Sequence, residues 1–175
     1  MAELIAGEEF GKLFRTFRQS AWRLETQFEY REPKEVPLLQ SWLNGEPDDL
    51  AWMSGWLDNI RAIRQAGKEF GRVRVISEPL TDYLRWQMTI TPSNVEAGED
   101  IRLLPANRAR ELGLPGHDFW LFDEERVAVM HFGESGFVGA ELVTDKATVA
   151  RHRVWRDTAV ANAVPYSAAD PSLIT

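Results

Sequence analysis

Three histidines are the natural candidates for a base or a metal ligand, because imidazole alone titrates near neutral pH. His117 follows the turn Gly113-Leu114-Pro115-Gly116, His152 falls on a helical segment, and His131 shares a strand face with Val127 and Val129. That last spacing predicts a packed, hydrogen-bonded side chain. No His-Glu-x-x-His or comparable ligand spacing occurs and cysteine is absent, so neither a metal site nor a thiolate nucleophile is expected. Ser135, in Gly133-Glu134-Ser135-Gly136, misses the Gly-x-Ser-x-Gly elbow and reads as a hairpin turn. Gly67 and Gly71 flank a helix end and a strand start; they make no phosphate loop, and no dinucleotide fingerprint is present. No cofactor is expected.

Carboxylates are the remaining source of acid–base chemistry, which needs two of them placed together. Asp118 and Asp123 bracket Phe119-Trp120-Leu121-Phe122, but their odd separation puts them on opposite faces of that strand. Glu141 shares a strand face with Phe137 and Val143, and an inward carboxylate requires a cationic partner; Arg85 or Arg102 is the expected one. A structural ion pair accounts for such a contact more simply than a ligand site does. Tyr83, Arg85, Trp86 and Asn94 form a second cluster beside a proline, suited to lining a pocket or a groove, although core packing also explains Tyr83 and Trp86. With Arg102, Trp120, Asp123, His131 and Glu141 these are the candidate ligand- or partner-binding residues. Trp52 and Trp56, more than one helix readily buries, are candidates for a partner interface. No residue earns a catalytic assignment.

The elements that must position these residues are legible from periodicity. Phe10, Leu13, Phe14 and Phe17 trace the apolar stripe of a first helix. Trp22, Leu24, Thr26, Phe28 and Tyr30 then alternate with Arg23, Glu25, Gln27, Glu29 and Arg31, the pattern of a half-buried strand with one wet face near a sheet edge. A short helix through Trp42, a helix over Trp52 to Ile63 and a short strand ending near Ile76 follow. The next helix carries Leu80, Tyr83, Leu84 and Met88, and Thr91-Pro92 is expected to interrupt it. After strand Ile101 to Leu104 and a brief helix come three strands of an antiparallel meander. The first of these, Phe119 to Phe122, is apolar on both faces and therefore central. Asp145 caps a last helix that ends at Pro165. Helices between the early strands imply parallel crossovers, so the expected fold is α+β: a mixed sheet with N-terminal parallel crossovers, a C-terminal meander and flanking helices, in one domain over 1–165 with a mobile tail over 166–175.

Composition bounds the partners. Twenty Lys and Arg against twenty-seven Asp and Glu leave 175 residues with a net charge of −7. That balance repels nucleic acid, and the basic stretch Arg151-His152-Arg153-Val154-Trp155-Arg156 suits a solvated helix face; no direct nucleic-acid binding is expected. The chain lacks a long apolar run and a basic start, so it is expected to be cytoplasmic, with no membrane partner. Oligomeric state is not set by any of these features.

Three stretches carry a resemblance: Ser20 to Gln27, Glu78 to Arg85, and Glu99 to Arg102 followed by Asp118 to Asp123, completed by Gly139 to Asp145. On these the chain resembles an actinobacterial family of single-domain proteins of unknown function, often encoded beside helix-turn-helix transcriptional regulators. The order of strands and helices is also similar to that of the phospholipase D superfamily. Its His-x-Lys-x-x-x-x-Asp motif, aligned on Asp123, puts Gly116 in place of the histidine and Asp118 in place of the lysine, so the likeness implies a degenerate member. These resemblances imply a non-enzymatic regulatory protein whose partner is a helix-turn-helix regulator. The alternative is a small-molecule sensor or hydrolase with a pocket near Tyr83, Arg85, Asn94 and Glu141.

Overall fold

Alternation with a period of two builds the sheet at the centre of this protein. A computed structural model describes residues 2–169. The strands are β1 (Leu4–Ile5), β2 (Ser20–Glu25), β3 (Glu69–Ile76), β4 (Asp100–Pro105), β5 (Phe119–Phe122), β6 (Arg126–Gly133), β7 (Gly136–Val143) and β8 (Val164–Pro165). They form one open sheet in the order β1-β7-β6-β5-β2-β3-β4-β8. The pairs β2–β3 and β3–β4 are parallel and the others antiparallel, as the expected crossovers and meander require. Six helices accompany them among the described residues: α1 (Gly7–Thr16), α2 (Val36–Leu43), α3 (Ser54–Gln65), α4 (Asp82–Ala97), α5 (Ala106–Glu111) and α6 (Lys146–Asn162). The fold is α+β with a mixed sheet.

Both faces of the sheet are covered. Leu13 of α1, Ile60 and Ile63 of α3 and Ala97 of α4 pack on the face bearing Ala21, Phe70, Trp120 and Phe122. Ala109 of α5 and Val149 and Ala159 of α6 pack on the face bearing Trp22, Leu24, Val73, Phe119 and Leu121. Each large apolar side chain removed from water in this way contributes roughly 1.5–3 kcal/mol, so the all-apolar β5 is held from both sides. At Gly71, a Cβ would meet the Asp100 carbonyl oxygen at 2.8 Å; only glycine lets β3 and β4 approach as they do.

Two expectations are corrected. The strand over Trp22 to Tyr30 was expected at an edge with one wet face; β2 instead lies between β5 and β3 and ends at Glu25. It ends there because the next amide, Thr26 N–H, donates to the Asp118 carboxylate (2.8 Å) and leaves the ladder. Its polar face is not wet: Glu25 is 4% exposed. Second, Pro92 does not interrupt its helix, since α4 runs through it to Ala97. A proline removes the hydrogen bond to the carbonyl four residues back, here Met88, and that carbonyl accepts the Tyr166 hydroxyl instead (3.1 Å). Tyr166–Ala168 form a 3₁₀ turn, and Tyr166 and Ala169 pack against the α4 cluster; 170–175, the rest of the expected mobile tail, lie outside the described residues.

Candidate functional site

Register on the central strands assembles a buried ion network. Arg23 pairs with Arg72 across β2–β3 and with Trp120 across β2–β5, while Glu25 pairs with Arg74. Alternation puts all four charged side chains on one face, beneath α3 and α4. The Glu25 carboxylate accepts from Arg72 Nη1 (2.6 Å) and Arg74 Nε (2.7 Å), with Arg23 Nη1 at 3.3 Å. Glu99, 2% exposed just before β4, accepts from Arg72 Nε (2.5 Å) and from Asn94 Nδ2 of α4 (2.9 Å). Asp118, just before β5, accepts from Arg23 Nη2 (3.2 Å), Tyr30 Oη (2.5 Å) and both the amide and hydroxyl of Thr26. Three guanidiniums thus balance three carboxylates.

The remaining polar atoms come from α4 and from Glu35, the residue before α2. Arg74 donates to Thr91 Oγ1 (3.2 Å) and Gln87 Oε1 (3.4 Å); Gln87 Nε2 donates to Tyr83 Oη (3.1 Å), and Tyr83 Oη donates to Glu35 (2.8 Å). Positions 83, 87, 91 and 94 are one turn apart, so a single helix face supplies Tyr, Gln, Thr and Asn.

Electrostatics sort these groups. Burial alone would push the Glu25 carboxyl up, but Arg74, Arg23 and Arg72 overcome it and hold it below the usual carboxylate range. Arg23 is likewise held above its ordinary value: desolvation opposes its charge, and Glu25, Tyr30 and Asp118 more than restore it. Glu35 behaves oppositely. Burial raises its pKa, only partly offset by the Tyr83 hydroxyl, and the charges of Glu25 and Glu32 add to the rise. Tyr83 and Tyr30 are raised by burial and by neighbouring carboxylates, so both phenols stay protonated.

Above this network lies a cavity of about 270 Å³, with Arg23, Arg72, Arg74, Gln87, Thr91 and Asn94 among the residues lining it. An adjoining cavity of about 260 Å³ shares Arg23, Arg72, Glu35 and Gln87 as walls. Trp52, Met53, Trp56 and Ile90 form the apolar part of the first. Trp52 is 42% exposed; it stacks on Trp86 (centroids 6.1 Å, 26°), and its indole Nε1–H donates to Asp48 (2.9 Å). Two buried polar atoms of the cavity's residues have no hydrogen-bond partner among the described residues: Arg23 Nε, a donor, and Asn94 Oδ1, an acceptor. Asn94 is oriented by Glu99, whose carboxylate can only accept, so its carbonyl oxygen faces away from that partner.

The structure brings together some of the residues singled out from sequence. Asn94 and Trp52 line the cavity with Trp56; Tyr83 bounds its neighbour and Trp86 backs Trp52. Trp120 flanks Arg23, whose guanidinium lies 5.9 Å from its ring centroid. Others are elsewhere. Arg85 is exposed and pairs with Asp82, and Arg102 pairs with Asp100, so neither meets Glu141. Glu141 sits on β7, opposite Leu4 of β1 and Val129 of β6, three strands away from β2 in the sheet. His131 is exposed, not packed: burial on its face fades from Val127 through half-buried Val129 toward the hairpin tip at Gly133. Asp123 is a backbone cap, accepting from the amides of Arg18, Gln19 and Ser20. Those amides hold its carboxyl below its ordinary value against the opposing effect of burial.

The residues that sequence reasoning missed are Arg23, Glu25, Arg72, Arg74, Glu99 and Glu35. The available signal was the Arg-x-Glu of β2 beside the Arg-x-Arg of β3, charges two apart on strands whose parallel pairing faces them together. Asp118, where the phospholipase D motif would need lysine, is one of the network's acceptors. Among the described residues no helix is long and apolar enough to cross a membrane. No curated protein matches the chain. A family model described as a domain of unknown function, DUF6879, matches residues 8–168. The chain belongs to that family.

Proposed function

We propose that this domain is a small-molecule-binding module, without catalysis of its own, whose occupancy is read by a protein partner. The observation that carries the reading is the mutual neutralisation of Arg23, Arg72 and Arg74 by Glu25, Glu99 and Asp118 beneath a cavity walled by tryptophan and amide side chains. Carboxylates bound by arginines are poor proton carriers, because their lone pairs are occupied and their charge is stabilised. What remains on the wall recognises a ligand: an exposed indole, amide-bearing side chains and apolar side chains. The net charge of −7 favours a protein over nucleic acid as the partner, and the resemblance to proteins encoded beside helix-turn-helix regulators suggests such a regulator.

The test is a ligand-observed NMR screen with a fragment library of mixed charge, read on the protein by the Trp52 indole resonance. Fragments that shift this resonance in wild type and lose their ligand-observed signal in Trp52→Ala support the reading; no such fragment overturns it. Co-purification with the adjacent regulator tests the partner separately. A second reading, a hydrolase, is favoured by one observation: Glu35 is an acid of raised pKa, hydrogen-bonded to Tyr83 at the cavity wall, and such a carboxyl can transfer protons. Turnover of any ester or amide substrate that is abolished in Glu35→Gln would replace the binding reading.

A further inference from the structure

We propose that the cavity over β2 and β3 takes a small aromatic carboxylate, bound by the free edge of the Arg72 guanidinium with its ring against Trp52 and Trp56. The inference rests on the binding reading above and narrows it to a ligand class.

The donor decides first. Arg72 Nε donates to Glu99 and Nη1 to Glu25, but Nη2 has no hydrogen-bond partner among the described residues. The residue is only 7% exposed, and it forms part of the cavity wall. Nη2 is not sealed off. The unpartnered side-chain atoms wholly enclosed by protein are Arg23 Nε and Asn94 Oδ1, which no ligand in the cavity can touch. Nη2 therefore opens onto the cavity space and offers its two N–H groups there. Glu25 and Glu99 already fix the guanidinium from its other sides, so binding a ligand orders little that is not ordered beforehand.

Acceptors on the same wall are taken: Thr91 Oγ1 and Gln87 Oε1 both accept from Arg74. The ligand must therefore bring the acceptor, and a carboxylate oxygen makes a stronger bond to a guanidinium than a neutral carbonyl does. Charge permits it. Three guanidiniums and three carboxylates leave the floor without net charge, and an anion at Nη2 displaces none of Glu25, Glu99 or Asp118. Glu35 is the acid on the wall outside that set; burial raises its pKa, which lessens both its repulsion of an anion and its attraction for a cation. Shape decides the rest. At about 270 Å³ the cavity lies just below the roughly 300–1,000 Å³ of sites for drug-sized ligands, which limits it to one or two rings. Trp52, stacked on Trp86, and Trp56 supply indoles against which a flat ring can lie.

The full chain is titrated with benzoate and phenylacetate as carboxylates, benzamide as the neutral analogue, benzylamine as the cation and inorganic phosphate as a second anion. Each is followed by ligand-observed NMR, or phosphorus NMR for phosphate, so no tryptophan has to serve as reporter. At least one carboxylate is expected to saturate. Benzamide is expected to bind about tenfold more weakly than benzoate, the difference between a neutral and a charge-assisted hydrogen bond. Arg72→Lys keeps the charge that balances Glu25 and Glu99 and removes Nη2, so it is expected to weaken benzoate more than benzamide. Should that variant not fold, Trp52→Ala, at a residue 42% exposed and outside the ion network, is expected to weaken the same carboxylate. Benzoate affinity that is unchanged in folded Arg72→Lys, or lowered no more than that of benzamide, overturns the proposal, as does unchanged affinity in Trp52→Ala. Tighter binding of benzamide, benzylamine or phosphate than of either carboxylate also overturns it. If both carboxylates fail while other fragments occupy the cavity, the ligand class is wrong and the binding reading stands; if nothing binds, both fall.

Discussion

Glu25 is the residue on which the buried network turns. It faces three guanidiniums from two adjacent strands and is 4% exposed, so the arginines are little screened by bulk water if its charge is removed. Breaking a buried ion pair from one side leaves an uncompensated charge, typically a loss of about 3–5 kcal/mol. Glu25→Gln is therefore expected to lower the unfolding free energy by about that amount at neutral pH, measured by urea denaturation followed by far-UV circular dichroism. A loss below about 1 kcal/mol would mean that the arginines find other acceptors. The alternation that makes Arg23 and Glu25 one face is plain in the sequence; its burial is not. A polar face on a strand ordinarily meets water, and only the parallel placement of β3, with Arg72 and Arg74 in register, turns it inward.

At the scale of elements, α4 positions most of the recognition side chains, and it does so because it stays continuous through Pro92. Broken there, Asn94 would lose its alignment with Tyr83, Gln87 and Thr91. Continuity depends on an acceptor for which sequence offers no local sign: the Met88 carbonyl, deprived of its helical donor, is bonded by Tyr166 some 78 positions along the chain. Tyr166→Phe keeps the ring and removes the donor. Leaving that carbonyl unbonded is expected to destabilise the protein by about 1–3 kcal/mol, read from the shift in urea midpoint at constant m-value. An unchanged midpoint would show that the helix tolerates the proline unaided. Helices α1, α2, α3 and α6 and strands β3 to β7 were legible in advance, because their apolar periodicity or capping residues are local. The two-residue strands β1 and β8 were not, since a segment that short has no period to read.

For the molecule as a whole, stability is expected to depend on pH in two separate ranges. His117 and His152 face each other across the junction of the β5 approach and α6, Nε2 to Nε2 at 3.1 Å, with Trp155 and Phe119 packed around them. The Thr148 carbonyl can only accept, so His152 Nδ1 carries its proton; His152 Nε2 is then the acceptor and His117 Nε2–H the donor. Burial lowers both pKa values; the charges of His152 and His131 add to the effect at His117, Arg151 adds at His152, and Asp118 and the Thr148 carbonyl oppose it. The folded state therefore binds fewer protons than the unfolded state just below the ordinary value of 6.5, and stability falls as pH drops through that value toward the lowered folded pKa values. Glu25 acts at lower pH: its carboxyl is depressed on folding, so its contribution is intact above its ordinary 4.5 and is lost as pH falls below it. Unfolding free energies measured from pH 8 to pH 3 are expected to decline in both ranges. His152→Gln is expected to flatten the upper range and Glu25→Gln the lower; a profile flat between pH 7 and pH 5.5 in wild type would remove the histidine pair from this account.

The sequence by itself determined the class of fold, the central place of β5, the meander and the absence of a familiar catalytic motif, because period, caps and turn residues act over a few positions along the chain. Only the tertiary structure decided where the charged groups meet. Arg23, Arg72, Glu99 and Asp118 come from four separate stretches, and the energy that holds them together arises from excluding water around paired charges. That condition belongs to the packed sheet and its helices, not to any single segment, so the residues that looked most solvated became the floor of the site.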